Sequence, residues 1–472
     1  MNVQTSVSDR GNQVLSRLER IPVWSLPRVI MVVIGIGFLF TFYDIFDINV
    51  SFIQTSEAII PGATAETAGN YIGLPVLMNL VGYVVGTLIL SPIADRIGRR
   101  NMLLITMLIT GLGSLYTAFT YDYTNFIIAR AITGVGIGAD LAVVNTYINE
   151  MAPRQSRAKY TAMIFIMSGL GALLGIWLGL WLTTPATPFP LGLPFALASE
   201  SFDYGWRIMY VVGAVLALIG IIMRVRLPES PRWLVTAGRE DEADQVVKNM
   251  EQLASERTTL PGVETVQFTT DQHSFPYRTI FSNKTYLTRT ILLLFVWLLS
   301  YVTVYSFSAG MTTLLVGLHY KPPEAGLIVA FGVFGMVISA IVSYYIGEKL
   351  ERKWWIIISA ILTLIGGVIV ALAGVNLGMA VFGAIIVFFG FNLYVPMTYT
   401  WTTENFPTRA RTSGFALVDG LGHIGGGIGL LAIAPLIPAL GVLKGFLLIG
   451  LFLLVASIIA LFGVRTRDKM LE

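Results

Sequence analysis

The sequence predicts an all-α integral membrane protein with 12 transmembrane helices in two six-helix bundles, and three observations predict it. Charged residues make up only 12% of the 472 residues, whereas soluble domains carry about 25%. Apolar runs of about 20 residues, the length that crosses a bilayer as a helix, recur along the chain. A polar interval and a pair of repeated motifs divide these runs into two sets of six.

The elements follow in order from this pattern. We expect a cytoplasmic tail over 1–28, a first bundle over 29–226, a linker over 227–286, a second bundle over 287–463 and a tail over 464–472. The spans are the apolar runs near 29–53, 70–93, 101–120, 124–150, 158–183, 206–226, 287–317, 324–347, 354–374, 377–403, 412–437 and 440–463. The linker stretch "GREDEADQVVKNMEQLASER" combines charged residues with helical apolar spacing, which predicts an amphipathic surface helix.

The distribution of Lys and Arg predicts the orientation. With a cytoplasmic N-terminus, nearly all basic residues fall in cytoplasmic loops, tails or span ends, and the loops 54–69 and 184–205 contain none. The exceptions are Arg130, Arg207, Lys321 and Lys444. We therefore expect a multi-pass plasma-membrane protein with both termini cytoplasmic, whose basic residues set topology and do not bind nucleic acid.

Composition also argues against an enzyme. The chain has no cysteine and only three histidines, so thiol nucleophiles, disulfides and a zinc cluster are not expected. No cofactor motif is visible, and the expected partners are a small-molecule substrate, protons and the lipid bilayer, with the protein itself a monomer.

Two motifs recur in the second half at nearly one offset. "DRIGRR" (95–100) corresponds to "EKLERK" (348–353), and "EMAPRQSR" (150–157) corresponds to "ENFPTRAR" (404–411). This pattern indicates two bundles related by a parallel repeat, and transporters of that design bind substrate between the halves near the midplane.

At these residues the sequence resembles the major facilitator superfamily over nearly its whole length. The loop "SPIADRIGRR" is similar to the family's loop motif with Ser91 in place of its first glycine, while "WRIMY", "PESPRWL" and "RAITGVGIGAD" resemble the sugar porters and related metabolite carriers. Phe165 and Tyr399 replace residues typical of sugar porters, and "YDIF" and "GIGAD" are similar to proton-linked phosphate and organic-acid carriers. The resemblance implies a metabolite:proton symporter.

Two acids in the first span and one arginine in the fourth form the predicted proton-coupling site. At 1.5 Å per residue, Asp44 and Arg130 both lie roughly 21–22 Å above the cytoplasmic side of a core about 30 Å thick. The resemblance to sugar porters implies that this pair couples protons. Asp47 lies three residues further on a neighbouring part of the helix face, and two carboxylates beside one arginine cannot both be comfortably ionised. Asp47 could instead cap the outer helix end.

A second acid is expected in the substrate cavity. The repeat offset maps Asp419 onto Phe165, the position at which sugar porters carry a cavity glutamine. Polar-tipped side chains of spans seven and ten are further candidates for substrate binding: Tyr301, Tyr305, Asn392, Tyr394 and Tyr399. Each of these residues could equally be packed in a structural role, and the same holds for His423, one turn after Asp419.

The charged residues at the cytoplasmic ends of the spans resemble the family's gate network, whose ion pairs can hold one conformation and separate in another. The predicted members are Asp95, Arg96, Arg99, Arg100, Asp140, Glu150, Arg157, Glu348, Glu404 and Arg411. Helix capping and positive-inside anchoring explain the arginines without a gate, but not their repeated acidic partners.

The function expected from the sequence is proton-coupled symport of a small polar metabolite by alternating access. The alternatives are a sugar or phosphate porter, a passive uniporter and a non-transporting nutrient receptor. The pairing of Asp44 with Arg130 disfavours uniport, and gate motifs in both halves give no sign of a receptor that has lost transport.

Overall fold

The computed structural model describes residues 5–6, 8–153, 157–264, 269–270, 276–347, 349–406 and 410–466, and it confirms the all-α class. Its named strands are two residues long each: Thr5–Ser6 pairs antiparallel with Thr269–Thr270. Everything else of regular structure among the described residues is helical.

Among its described residues the first half contains eight α-helices, of which α1 and α4 are too short to cross a membrane. In chain order they are α1 (Asp9–Glu19), α2 (Arg28–Ile59), α3 (Gly69–Val85), α4 (Ser91–Ile97), α5 (Arg99–Ala118), α6 (Tyr123–Met151), α7 (Arg157–Thr183) and α8 (Gly205–Arg224). One π-helical turn, Gly86–Leu90, extends α3.

The linker and second half contain the remaining helices. They are α9 (Pro231–Thr236), α10 (Glu240–Ser255), α11 (Pro276–Ser282), α12 (Lys284–Ser308), α13 (Met311–Gly317), α14 (Pro322–Gly332), α15 (Phe334–Ile346), α16 (Arg352–Ala373), α17 (Leu377–Leu393), α18 (Val395–Glu404), α19 (Arg411–Ile433) and α20 (Ile437–Leu461). The predicted amphipathic linker helix corresponds to α10, which buries Ala243, Val247, Met250 and Ala254.

Eleven described helical segments are long and apolar enough to cross a membrane, against the twelve spans expected. The difference lies in the last segment, Ser413–Leu461, whose 49 residues contain α20 and all of α19 except its first two residues. A 3-10 turn at Ala434–Leu436 and a non-helical Gly441 (φ 74°) interrupt it. At 1.5 Å per residue it would be about 74 Å long as one straight helix, so it is long enough for two crossings.

Close helix contacts position the interior charges of the first half. A Cβ atom on Gly134 of α6 would lie 1.8 Å from the Asn79 carbonyl oxygen of α3, and one on Gly82 of α3 would lie 2.0 Å from the Ala131 carbonyl oxygen of α6. Small residues at such contacts let membrane helices approach closely. The side chain of Asn79 also donates a hydrogen bond to the Arg130 carbonyl oxygen (2.9 Å), so α3 fixes the part of α6 that carries Arg130.

The two halves meet mainly along α3 and α7 of the first half. The helix α3 packs against α19, and α7 packs against α14 and α15, while α2 also contacts α13. The N-terminal helix α1 packs against the linker helices α9 and α10. We call the end of the molecule that carries them the linker end, and the opposite end, which carries the loop between α2 and α3, the far end.

Candidate functional site

One buried cluster combines two acids of α2 with one arginine of α6, and we call Asp44, Asp47 and Arg130 the Arg130 cluster. Arg130 Nη1 lies 3.3 Å from Asp44 Oδ2 and 3.6 Å from Asp47 Oδ1. Arg130 Nη2 donates a hydrogen bond to the backbone carbonyl oxygen of Asp44 (2.8 Å). All three side chains are at most 2% exposed, so these charges interact with one another and not with bulk water.

The two acids of this cluster differ in their hydrogen bonds. Ser114 of α5 donates its hydroxyl to Asp44 Oδ1 (2.7 Å), so Asp44 is held by α5 and α6 together. Neither carboxylate oxygen of Asp47 accepts a hydrogen bond from the described residues. Because a buried carboxylate without hydrogen bonds is the more costly one to leave ionised, the two positions are chemically unequal.

Helix geometry explains why the cluster forms. Asp44 and Asp47 are three residues apart, so they lie on neighbouring parts of one helix face. The guanidinium of Arg130 lies 5.6 Å from the centre of the Tyr210 ring of α8. Tyr43 donates its hydroxyl to the Met209 carbonyl oxygen (2.8 Å), which holds α2 against α8 and turns the acids towards α6.

A second buried centre lies where α3 of the first half meets α19 of the second. Asp419 Oδ2 accepts a hydrogen bond from Tyr83 (2.9 Å), and Oδ1 accepts one from Tyr301 (2.6 Å). Tyr301 and Tyr399 have hydroxyl oxygens 3.4 Å apart. His423 Nδ1 lies 2.7 Å from the Asp419 backbone carbonyl oxygen and 3.7 Å from Oδ2.

Aromatic rings surround this carboxylate. The His423 ring lies between Tyr83 and Tyr301, with centroid distances of 4.0 and 3.9 Å. Trp297 stacks on Tyr301 at 4.9 Å. Phe165 of the first half meets Tyr399 edge-on at 5.4 Å. We call Asp419, His423, Tyr83, Tyr301 and Tyr399 the Asp419 site.

The structure brings most of the predicted substrate-binding residues near one another. Tyr305 lies 5.8 Å from both the Tyr301 and the His423 rings, and Tyr394 lies 6.1 Å from Trp297. Asn392 does not join them, because its side chain donates hydrogen bonds to Ser339 Oγ (2.8 Å) and to the Met336 carbonyl oxygen. Asn392 therefore ties α17 to α15, and its role in binding stays a prediction.

Sequence reasoning missed several residues of the two centres. Tyr83, Trp297 and Ser114 were not among its candidates, although each carries a polar group in an apolar span. Nothing in the spacing of these residues marks their partners, because the contacts join helices that are distant in sequence. The repeat offset was the one available signal, because it matched Asp419 with Phe165. Asp419 accepts a hydrogen bond from Tyr301, and Phe165 meets the ring of Tyr399.

The predicted gate residues divide into separate contacts at the linker end. Arg99 pairs with Glu150 (3.1 Å), and Arg352 pairs with Glu404 (3.4 Å), so the repeat motifs make equivalent pairs in the two halves. The backbone N–H groups of Arg99 and Arg100 donate to Glu229, and Arg96 is exposed. Glu348 and the side chains of Asp95, Arg157 and Arg411 lie outside the described residues.

The described ion pair of Asp140 is not with one of these gate arginines. Its carboxylate instead forms a two-pronged ion pair with Arg224 of α8, with Nη2 to Oδ2 at 3.0 Å, and both side chains are fully buried. Thr106 donates to the same carboxylate (2.8 Å). The sequence grouped Asp140 with the gate arginines and did not identify Arg224 as its partner, because Arg224 belongs to a helix far away in sequence.

The family model described as "Sugar (and other) transporter" matches residues 29–472. The chain belongs to this family. It is 28% identical over 469 residues to the putative metabolite transport protein YyaJ of Bacillus subtilis, covering 97% of this chain and 96% of the relative. It is 24% identical over 470 residues to the niacin transporter NiaP of Acinetobacter baylyi, covering 97% and 98%.

A solved structure shares the fold. The proton:xylose symporter XylE of E. coli, bound to 6-bromo-6-deoxy-D-glucose, superposes with a TM-score of 0.65 and 20% identity, covering 94% of this chain and 97% of XylE. The major facilitator fold is thereby confirmed, and with the family it makes this chain a membrane transporter and not an enzyme.

Proposed function

We propose that this protein is a secondary active transporter that moves a small polar metabolite together with protons by alternating access. The observation that carries the proposal is the Arg130 cluster, in which two acids share one guanidinium inside the first bundle. Ionisable residues at such depth usually mark ion pathways or proton relays. The similarity of the fold to that of the proton:xylose symporter XylE adds support.

The charge balance of the cluster explains how it carries a proton. With both acids ionised the cluster has one net negative charge, and one added proton makes it neutral, which suits a buried site. The proton belongs to the coupled pair and not to one acid. Asp47, whose carboxylate lacks hydrogen bonds from the described residues, is the position at which the proton is held in the closed molecule.

Alternating access requires contacts that close each end in turn. At the far end, Asn49 of α2 donates to the carbonyl oxygens of Phe307 (3.1 Å) and Ser308 (2.6 Å) of the second half. At the linker end, the repeated pairs Arg99–Glu150 and Arg352–Glu404 each lie within one half, where they hold together the helix ends that a gate between the halves would use. The asymmetry of Lys and Arg supports placing the linker end in the cytoplasm and the protein in the plasma membrane.

Uptake into proteoliposomes tests the proposal. A panel of sugars, organic acids and phosphate, with and without a pH gradient, first identifies a substrate of the unmodified protein. We expect Asp44→Asn and Asp47→Asn to abolish accumulation driven by the pH gradient but to retain substrate exchange, since exchange requires no net proton cycle. The exposed Asp203→Asn is the matched control and should accumulate normally.

Two outcomes contradict the proposal. Full pH-driven accumulation by both Asp44→Asn and Asp47→Asn would make the Arg130 cluster structural. A substrate that the unmodified protein equilibrates without any response to the pH gradient would indicate passive uniport.

A further inference from the structure

Asp419 is a buried carboxylate whose described ion partner is not a lysine or an arginine. Its side chain is 1% exposed, and the described basic group beside it is His423, whose Nδ1 lies 3.7 Å from Oδ2 and is charged only when protonated. The nearby Tyr83 and Tyr301 supply hydrogen bonds but no positive charge. A carboxylate in a membrane interior is costly to leave ionised without a counter-charge, so a site that keeps one there is suited to a positively charged partner.

The faces of the surrounding rings offer the second component of cation recognition. A cation over the face of a tyrosine or tryptophan is attracted by the ring quadrupole, most strongly where water is excluded. The Tyr83 and Tyr301 rings lie on either side of the His423 ring, which is 3% exposed. The space between these two tyrosines therefore holds a flat ring, here the imidazole, directly beside the Asp419 carboxylate.

The guanidinium of Arg130 is paired with other acids and not with Asp419. Its guanidinium contacts Asp44 and Asp47 within 3.6 Å, and the ion pair of Arg224 is with Asp140. Within the described parts of the bundles, no lysine or arginine forms an ion pair with Asp419. An anionic substrate at this position would lie beside a carboxylate of the same charge, with no described lysine or arginine paired to that carboxylate.

Both halves contribute to the site, which places it on the route that alternating access would open. Tyr83 belongs to α3, whereas Asp419 and His423 belong to α19 and Tyr301 belongs to α12. When the halves separate at one end, the Tyr83–Asp419 hydrogen bond joins surfaces that move apart. A ligand can then replace the His423 ring between the two tyrosines.

We propose that the Asp419 site binds an organic cation, an ammonium or a protonated nitrogen heterocycle, between the faces of Tyr83 and Tyr301 with Asp419 as its counter-charge. The inference rests on the proposed transport function and narrows its substrate class. It also assigns Tyr83 and His423 to the site, where His423 occupies the cation's place in the closed molecule.

Equilibrium binding to the purified full-length protein tests the proposal. The probes share a ring or a size and differ in charge: benzylammonium and choline as cations, benzyl alcohol as the neutral compound and benzoate as the anion. Titration calorimetry at pH 7 should give benzylammonium a Kd at least about tenfold lower than that of benzoate. One such factor corresponds to about 1.4 kcal/mol.

Variants separate a binding role from a folding role. Asp419→Asn should reduce the ratio of benzylammonium to benzoate affinity to near one, and Asp419→Glu should retain part of that preference. Tyr83→Leu should weaken the binding of benzylammonium, and Tyr83→Phe, which keeps the ring, should weaken that binding less. Asp203→Asn is the control and should bind as the unmodified protein does. A thermal unfolding curve for each variant identifies any that fails to fold.

Each contrary result overturns the proposal. These results are benzoate binding as tightly as benzylammonium, an unchanged preference in a folded Asp419→Asn protein, or no saturable binding of either cation to the unmodified protein. The measurement uses no pH gradient, so its failure leaves proton coupling through the Arg130 cluster standing. Conversely, cation binding with normal pH-driven uptake by Asp44→Asn and Asp47→Asn would retain the site and refute proton coupling through that cluster.

Discussion

At the scale of single residues, the ion pair between Asp140 and Arg224 shows how a buried charge is accommodated. Arg224 also donates to the Leu103 carbonyl oxygen (3.1 Å), and Thr106 donates to Asp140. Gly37 of α2 leaves the space for the guanidinium, because a Cβ atom there would lie 1.6 Å from Arg224 Nη2. The pair therefore joins α2, α5, α6 and α8 near the linker end.

Removing one partner of this pair should be strongly destabilising. Asp140→Ala leaves the Arg224 charge buried without its acid, which costs roughly 3–5 kcal/mol, and Gly37→Ala should destabilise by displacing the same guanidinium. Denaturant or thermal unfolding in detergent measures the effect. Arg239→Ala, which breaks the exposed Arg239–Glu242 pair, is the control and should change stability far less, because exposed ion pairs contribute little. An Asp140→Ala protein as stable as the control would show that the pair is dispensable.

At the scale of elements, the N-terminal helix α1 docks onto the linker helix α10. Its buried face includes Val14, Leu15 and Leu18. Arg17 pairs with Asp244 (2.6 Å) and with Glu251, and Arg20 pairs with the same Glu251 (2.5 Å). Burial alone would raise the pKa of Glu251, but hydrogen bonds from the two arginines outweigh it and hold that pKa below its ordinary value.

The docking of α1 should therefore weaken in acid. Because the pKa of Glu251 is lower when α1 is docked, ionised Glu251 stabilises docking fully above its undocked pKa of about 4.3. This stabilisation is lost as the pH falls through the pKa of the docked state. Amide hydrogen exchange of residues 9–19 should be slow at neutral pH and faster in acid, beyond the intrinsic effect of pH on exchange.

The same contact gives a matched pair of variants. Glu251→Gln should speed exchange in residues 9–19 at neutral pH, whereas Glu242→Gln, which changes an exposed acid of the same helix, should not. Equal protection in both variants would mean that the apolar face of α1 holds the helix without its ion pairs.

At the scale of the whole molecule, Asn49 joins the two halves at the far end. Besides its bonds to Phe307 and Ser308, its Oδ1 accepts a hydrogen bond from the Thr312 hydroxyl (2.5 Å). The side chain is fully buried and connects α2 to the break between α12 and α13. The contact favours the closed far end over an open one.

Loss of this contact should shift the molecule towards opening at the far end. Since the chain has no cysteine, Thr313→Cys and Ser343→Cys can report access to buried positions of α13 and α15. In an Asn49→Ala background, maleimide labelling of Cys at position 313 should rise several-fold, and labelling at position 343 should not. Asn125→Ala, which changes an exposed asparagine of the far end, is the control background. Equal labelling of position 313 in the Asn49→Ala and Asn125→Ala backgrounds would show that Asn49 does not hold the far end closed.

The sequence by itself determined the membrane class, the order of the helices and the common level of Asp44 and Arg130. Depth follows from a fixed rise per residue and from the length of apolar runs, which is why Asp44 and Arg130 could be set at one level before their 3.3 Å contact was known. The repeat aligned the motifs that contain Arg99 and Glu150 with their second-half copies, but only the structure shows the equivalent pairs Arg99–Glu150 and Arg352–Glu404, and Arg352 was not among the predicted gate residues.

Only the tertiary structure decided which side chains share a site. Rotation about a helix axis and the choice of neighbouring helices depend on packing between segments distant in sequence, such as Gly134 of α6 against Asn79 of α3. For this reason Asp140 meets Arg224 and not the gate arginines, Asn392 turns to Ser339, and Tyr83 reaches Asp419 across the two halves. A span's polarity shows that a buried group needs a partner, but the geometry of neighbouring helices selects that partner.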